Sequence, residues 1–337
     1  MDTVELRATA PLEVALTASA VPEAVPPGCV LLRTERSLIS AGTELAVVMG
    51  THRGFQTGAA WPRYPVTLGY TAVGYIVRRG AGVTDFREGD CVLAEAPHAS
   101  YSIIETSRLL RVPADCDLDA ALLAHLASIP MYGLRQARVQ MGEGLVVFGL
   151  GLIGTLGARL GWLAGCRPVL GVDPISERRA LARKAHVVSV DPRDEEPADV
   201  HRRLTRGRLP EVVVEATGIP SVLCEALRTA APMARVVLLG SPRGRVELDP
   251  YTDIHRKGVT VIGVHDSFTP TVPTPHASFT ADRERGLALD LLADGSLIVD
   301  GLISHHIGPA DALATYRVLA AQDPVYMGVV IDWSALT

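Results

Sequence analysis

Three glycines at positions 149, 151 and 154 are the residues whose spacing points most directly to chemistry. They lie in LVVFGLGLIGTLGARLGWLAG, residues 145–165. This stretch opens as a charge-free strand, Leu145-Val146-Val147-Phe148, and continues past the turn with helical spacing at Leu156, Leu160 and Leu163. Strand, glycine turn and helix form the context in which Gly-x-Gly-x-x-Gly binds a dinucleotide. Gly149 permits the tight turn, Gly151 lets backbone approach a pyrophosphate, and Gly154 lets the helix pack close on the strand. Leu150, Leu152 and Ile153 complete the turn, and the helix start offers unpaired N–H groups and a partial positive charge to phosphates. A membrane span is the competing reading of this apolar stretch. The repeated glycines and the polar βα patterning that follows at once oppose it.

A second apolar run, Pro168–Val172, ends in Asp173, 19 residues after Gly154. A carboxylate there accepts hydrogen bonds from the hydroxyls of an adenosine ribose, which points to NAD as the cofactor. The 2′-phosphate of NADP would set like charges side by side. Arg178 and Arg179, just beyond, are a complication, because either guanidinium could welcome that phosphate.

These groups need elements to position them. Residues 1–115 read as β-rich, with short apolar runs at Val30–Arg33, Ala72–Val77, Cys91–Ala94 and Tyr101–Ile104 between Pro/Gly turns. Such regular turn signals predict a compact barrel-like unit. Asp119–Ala127 and Met131–Val139 read as two helices separated at Pro130. Apolar strands then alternate with helical segments: Leu145–Phe148, Pro168–Val172, His186–Val190, Val212–Glu215, Arg235–Gly240 and Val259–Val264, with helices including Ser176–Lys184 and Ser221–Ala231. This alternation predicts an α/β fold with a doubly wound parallel Rossmann sheet. Thr217 after the fourth strand, Gly240 ending the fifth and His265 after the sixth fall at the carboxyl edge where ligands bind. His265 either reaches the cofactor or caps a loop. Residues 266–281, with prolines at 270, 273 and 275, read as a long loop. The expected domains are 1–122 with 266–337, and 123–265.

The length of 337 residues is ample for two cores. A net charge of −5 leaves no basic footprint, so no nucleic-acid partner is expected. Five scattered cysteines have neither metal nor redox spacing, and the first residues lack a basic region followed by an apolar run. A cytoplasmic protein with no membrane partner is expected. Lys184 and Lys257 are the only lysines, which makes Schiff-base chemistry improbable.

Several motifs in order make the chain similar to the medium-chain dehydrogenase/reductase superfamily. They are Pro26-Pro27-Gly28, Ser40-Ala41-Gly42-Thr43-Glu44, Pro65 to Tyr70, Gly74-Tyr75-Ile76-Val77, Gly89-Asp90-Cys91-Val92, the glycine turn, and Gly301 to His305. The resemblance implies a GroES-like catalytic domain beside the Rossmann domain, with a catalytic cleft between the two. The segments ISAGTEL and LGYTAVG, with the closing Val330-Ile331-Asp332-Trp333, most resemble a zinc-free branch of bacteriochlorophyllide dehydrogenase-like oxidoreductases. Zinc members carry Cys-Gly-Ser/Thr-Asp and Gly-His-Glu where this chain has Ala41-Gly42-Thr43-Glu44 and Gly69-Tyr70-Thr71. No bound metal is therefore expected, since catalytic zinc needs about three protein ligands. The resemblance also makes Arg178 the partner of Asp173 beside the ribose, and it makes the last Rossmann strand a dimer edge, so a homodimer is expected.

Without a metal, a hydrogen-bond donor must stabilise charge on the substrate oxygen. Thr43 matches the superfamily's hydroxyl at the reacting oxygen, or it simply stabilises its turn. Tyr70 either acts as an acid or plugs the vacated metal cavity. Glu44 is expected to orient neighbours. His125, aligned with a third-ligand position of the polyol dehydrogenases, either lines the cleft or is a core histidine. His52, His98, His305 and His306 are weaker candidates. The expectation is a zinc-independent, NAD-dependent oxidoreductase interconverting alcohol and carbonyl on a small or medium biosynthetic metabolite. A conjugate enone or quinone-type reductase and a non-catalytic NAD(P)-binding sensor or scaffold stay open beside it.

Overall fold

The computed structural model describes residues 2–275 and 277–336. The chain divides into two compact units, Met1–Ala124 with Ile303–Thr337, and His125–Leu302.

The second unit is built on six parallel strands. Their order across the sheet is Val188–Val190, Val169–Val172, Leu145–Phe148, Val212–Glu215, Arg235–Leu238 and Thr260–Gly263. The three central strands are buried at every residue, as continuous Val/Leu runs covered on both faces must be. Successive strands are added outward on one side of Leu145–Phe148 and then, from Val212–Glu215 on, outward on its other side, which makes the carboxyl ends of these two parallel neighbours the switch point of the sheet. The last strand, Thr260–Gly263, is an edge whose residues are mostly exposed.

The first unit joins a small sheet (Glu13–Ala20, Asp2–Ala10, Val66–Thr67) to a larger one centred on Cys29–Leu38. Val30 and Leu32 of Cys29–Leu38 enter one core with Ile76 and Val92, and Ile39, just past the strand, enters a second. The C-terminal strand Gly328–Asp332 pairs antiparallel with Cys29–Leu38, with Val330 opposite Leu38. Residues 312–333 thereby supply Tyr316, Ile331 and Trp333 to the core that also holds Leu6, Ile39 and Val47.

Two expectations need correction. Helix Leu118–Gln136 is continuous, with Pro130 inside it. A proline there forfeits one backbone hydrogen bond. Burial of Leu126, Ala127, Met131 and Leu134 offsets that loss, and Asp117 caps the start by accepting from the N–H groups of Asp119 and Ala120. A Cβ on Gly157 of helix Leu152–Leu163 would come within 3.2 Å of Pro130, so the proline also serves as a packing surface. Secondly, the boundary between units falls after Leu302 rather than at residue 266. Helix Ala281–Ala293 belongs with the Rossmann unit because buried Glu284 pairs with Arg135 and Tyr132 donates to Phe268 O at 3.1 Å. Among its described residues the 266–281 stretch has the short 3-10 turn Asp266–Phe268 and a bridge from Thr274 to Ala277; His276 lies outside the described residues.

Candidate functional site

In the Rossmann unit the glycines meet their steric demands in different ways. Gly149 has φ +88°, and a Cβ on it would lie 2.7 Å from Thr217 Cγ2. A Cβ on Gly154 would lie 1.8 Å from Gly149 O, which only glycine avoids. A Cβ on Gly151 would meet nothing, so space is open in front of it. Helix Leu152–Leu163 starts there without a side-chain cap, leaving the amides of Leu152 and Ile153 at an electropositive helix end.

Asp173 is 3% exposed. Its Oδ2 accepts from Leu150 N–H at 2.8 Å and its Oδ1 from Ile175 N–H at 2.8 Å. Arg178 Nη1 stands 3.7 Å from Oδ2. Arg179 is engaged elsewhere, with Asp191 at 2.9 Å and Asp173 O at 2.7 Å. Arg193 grips the same Asp191, and the two guanidinium groups hold that carboxyl well below the usual carboxylate range. The two arginines after Asp173 are thus not equivalent. Arg178 sits beside its carboxylate, whereas Arg179 braces the strand end.

Glu215, which sequence reasoning passed over, ends the fourth strand and is 1% exposed. Its Oε1 accepts from Thr217 N–H at 2.6 Å, Gly218 N–H at 3.1 Å and the Thr217 hydroxyl. Burial pushes this carboxyl up, and the Thr217 and Gly218 hydrogen bonds oppose the shift. The 216–218 turn so held is what Gly149 and Gly154 pack against, and a Cβ on Gly240 would lie 2.3 Å from Gly218 N. A charged residue closing the apolar run Val212-Val213-Val214 was the available signal.

His265 is exposed, accepting from Ser267 N–H at 3.3 Å and lying 3.2 Å from Asp266. His125 is half-buried on helix Leu118–Gln136. Burial depresses its imidazole pKa and the Asp266 carboxylate acts in the opposite direction.

In the first unit Thr43 opens helix Thr43–Val48 and is half-buried. Tyr70, also half-buried, donates its hydroxyl to Ser40 Oγ at 2.6 Å. Glu44 is buried and collects donors: Ser40 N–H at 2.8 Å, Tyr316 OH at 2.6 Å and His98 Nε2 at 2.8 Å. Fully buried His98 meets Ser37 Oγ through Nδ1 at 2.7 Å, and Ser37 Oγ accepts from Trp333 Nε1 at 2.8 Å. When the Ser37 hydroxyl donates to Nδ1, the neutral imidazole carries its hydrogen on Nε2 and donates it to Glu44. Burial and the Glu44 carboxylate raise the Tyr316 pKa well above its ordinary value, so it stays a donor. These hydrogen bonds join Glu44 to His98 and Tyr316, and through His98 to Ser37 and Trp333, none of which carried a sequence signal as its partner.

Among the described residues, no helix is long and apolar enough to cross a membrane. The family model of the zinc-binding dehydrogenases matches residues 149–274. The chain is 33% identical over 270 residues to a D-guloside 3-dehydrogenase of Shigella flexneri, covering 78% of this chain and 77% of that protein. In fold it is similar to the 2R,3R-butanediol dehydrogenase of Bacillus subtilis, with a TM-score of 0.81 at 20% identity over 98% of this chain and 99% of the other. It is similar too to a protein of Sinorhizobium meliloti 1021 assigned to the zinc-binding dehydrogenases and bound to NADP, with a TM-score of 0.82 at 20% identity and the same coverage.

Proposed function

The chain belongs to the medium-chain, zinc-type alcohol dehydrogenase superfamily, and from that premise we propose that it is an NAD(H)-dependent dehydrogenase of its zinc-free branch. Its substrate is a small molecule bearing a secondary alcohol, of the polyol or glycoside kind on which the dehydrogenase relatives act. Zinc independence rests on the donor set. Ala41 and Tyr70, a methyl and a phenol, stand where the superfamily's thiolate and imidazole ligands align, and Thr71 replaces the carboxylate that supports them. Among the described residues no three His, Cys, Asp or Glu side chains are grouped to hold a metal ion. A catalytic zinc does not fit these residues.

The cofactor does fit. The open space before Gly151 and the uncapped helix start receive a pyrophosphate, and Asp173 keeps acceptor capacity for a ribose after its two backbone donors. Bound NAD supplies the hydride acceptor. The chain's own part is to hold and move the proton on the substrate oxygen. The single observation that carries this reading is the Tyr70 phenol, oriented by Ser40 at a position where a metal ligand would stand. When a carbonyl is reduced, the Tyr70 hydroxyl turns its one proton from Ser40 Oγ to the substrate oxygen, and the Ser40 hydroxyl donates to the phenol oxygen in its place, with the Thr43 hydroxyl as second donor to the substrate. Ser40, whose own amide is fixed on Glu44, positions the phenol.

The exposed edge Thr260–Gly263 supports a homodimer formed by strand pairing. The five free cysteines support a reducing, cytoplasmic setting. The test is NAD+ reduction with a panel of polyols and glycosides after exhaustive chelation. Activity is expected to persist with far less than one zinc per chain, and Tyr70→Phe is expected to lower kcat by about 100-fold or more. Activity lost on chelation and restored by zinc would overturn the reading.

A further inference from the structure

Arg159 lies on helix Leu152–Leu163 and is 2% exposed. Its Nη1 donates to Ile298 O and its Nη2 to Leu181 O, the latter at 2.8 Å. A guanidinium carries five N–H donors, so these two bonds leave three, and the buried Nε has no hydrogen-bond partner. Among the described residues Arg159 forms no ion pair within 4.0 Å, and Asp300 acts on it only from farther away. Burial lowers its pKa to about 10, which leaves it a cation at neutral pH. A buried cation held only by carbonyl oxygens is costly unless something else compensates it.

A cavity of about 120 Å³ adjoins it, with walls from Trp162, Leu163, His186, Ser296 and Ile298. The walls are mainly apolar, and their aromatic side is braced. The Trp162 ring stacks with His186 at 4.6 Å and carries the Arg167 guanidinium 3.2 Å from its centroid. Ser296, at the exposed edge, brings a hydroxyl; its amide donates to Asp294 Oδ1 at 2.8 Å. The space equals about four water molecules. One buried cation, one hydroxyl and apolar walls match a small amphiphile with a single negative head better than a fully polar oxyanion. Arg159 stands seven residues past the helix start, about 10 Å along the axis, so this cavity is separate from the glycine turn.

We propose that the cavity is a binding site for a short-chain aliphatic carboxylate, its head on Arg159 and the Ser296 hydroxyl and its chain against Trp162, Leu163 and Ile298. The site does not depend on the reading of the glycine turn or of Tyr70. The experiment is a calorimetric titration of the full chain with sodium propionate at constant ionic strength. Saturable binding is expected, weakened at least tenfold by Arg159→Met, absent with the neutral isostere propionamide, and not displaced by equimolar sulfate. Absence of saturation overturns the proposal, as does equal binding by Arg159→Met. Equal binding of propionamide would show a merely apolar hole, and displacement by sulfate a general anion site; either overturns it as well. Should Arg159→Met fail to fold, Ser296→Phe closes the exposed edge and leaves the arginine in place. It is expected to abolish binding with an unchanged melting temperature, and retained binding in that variant overturns the proposal.

Discussion

Glu44 in the first unit and Glu215 in the second are both buried, at 3% and 1% exposure, yet they recruit their donors from opposite distances. Glu215 takes all its donors from residues two and three positions ahead, Thr217 and Gly218. Glu44 takes one from Ser40 and the others from His98 and Tyr316, 54 and 272 positions away. The first arrangement shapes one turn. The second ties three separate segments of chain to one carboxylate, so a single side chain serves both as orienting group and as fastening.

The comparison is sharpest where each carboxylate is removed. Glu44→Ala leaves buried donors on His98 and Tyr316 unsatisfied in two distant segments. It is expected to cost about 4 kcal/mol of unfolding free energy, read from urea denaturation. Glu215→Ala frees a single turn, and about 2 kcal/mol is expected. Its larger signature is weaker NADH binding, because the freed turn is the one Gly149 packs against. If the two variants lost equal stability, the distinction between local and distant wiring would fail.

Asp173 tests a carboxylate whose donors are the local Ile175 amide and the Leu150 amide of the glycine turn. Asp173→Ser should narrow the preference for NAD(H) over NADP(H) by at least about tenfold, roughly 1.4 kcal/mol, in a fluorescence titration. A wild-type protein that prefers NADP(H) would show that Arg178 and Arg179 dominate.

The smallest effect is one of pH. Burial raises the Glu215 pKa above its ordinary 4.5. Between the unfolded and folded values the folded chain binds more protons, so this group's contribution to stability is full below the unfolded value and is lost as pH rises through the folded one. Glu215→Gln, which keeps an acceptor but cannot ionise, should gain on the wild type at pH 7 by less than about 1 kcal/mol. That gain should shrink as denaturation is repeated toward pH 4.5. A gain that grows on acidification would mean that hydrogen bonding outweighs burial at Glu215.

The same contrast explains what could be read from the sequence. The Rossmann strands Leu145–Phe148 and Val212–Glu215 begin and end where the apolar runs do, because local patterning decides burial in a central parallel strand. The glycine turn is legible because its spacing is local, with Gly154 excluded from a Cβ by Gly149 O five residues back, although the Thr217 contact of Gly149 is not visible in any window of sequence. Pro130 misled, because its local cost is outweighed by packing that no window of sequence contains. His98 looked unremarkable because its partners, Ser37 and Glu44, lie on different elements. Trp333 and Tyr316 sit in the closing segment, where nothing in spacing links them to residues 37–44.

The first unit is discontinuous, and this has a consequence for how the protein is born. During synthesis residues 1–124 leave the ribosome before His125–Leu302, but Tyr316, strand Gly328–Asp332 and Trp333 arrive after the whole of it. Domains tend to fold as units once their residues are available. The inserted Rossmann unit therefore has its full complement of residues earlier than the unit it interrupts. Until the final residues emerge, Glu44 and Ser37 wait in a nascent half-core without Tyr316 and Trp333, and a translation pause near residue 302 would leave the amino-terminal strands as the segment most in need of a chaperone.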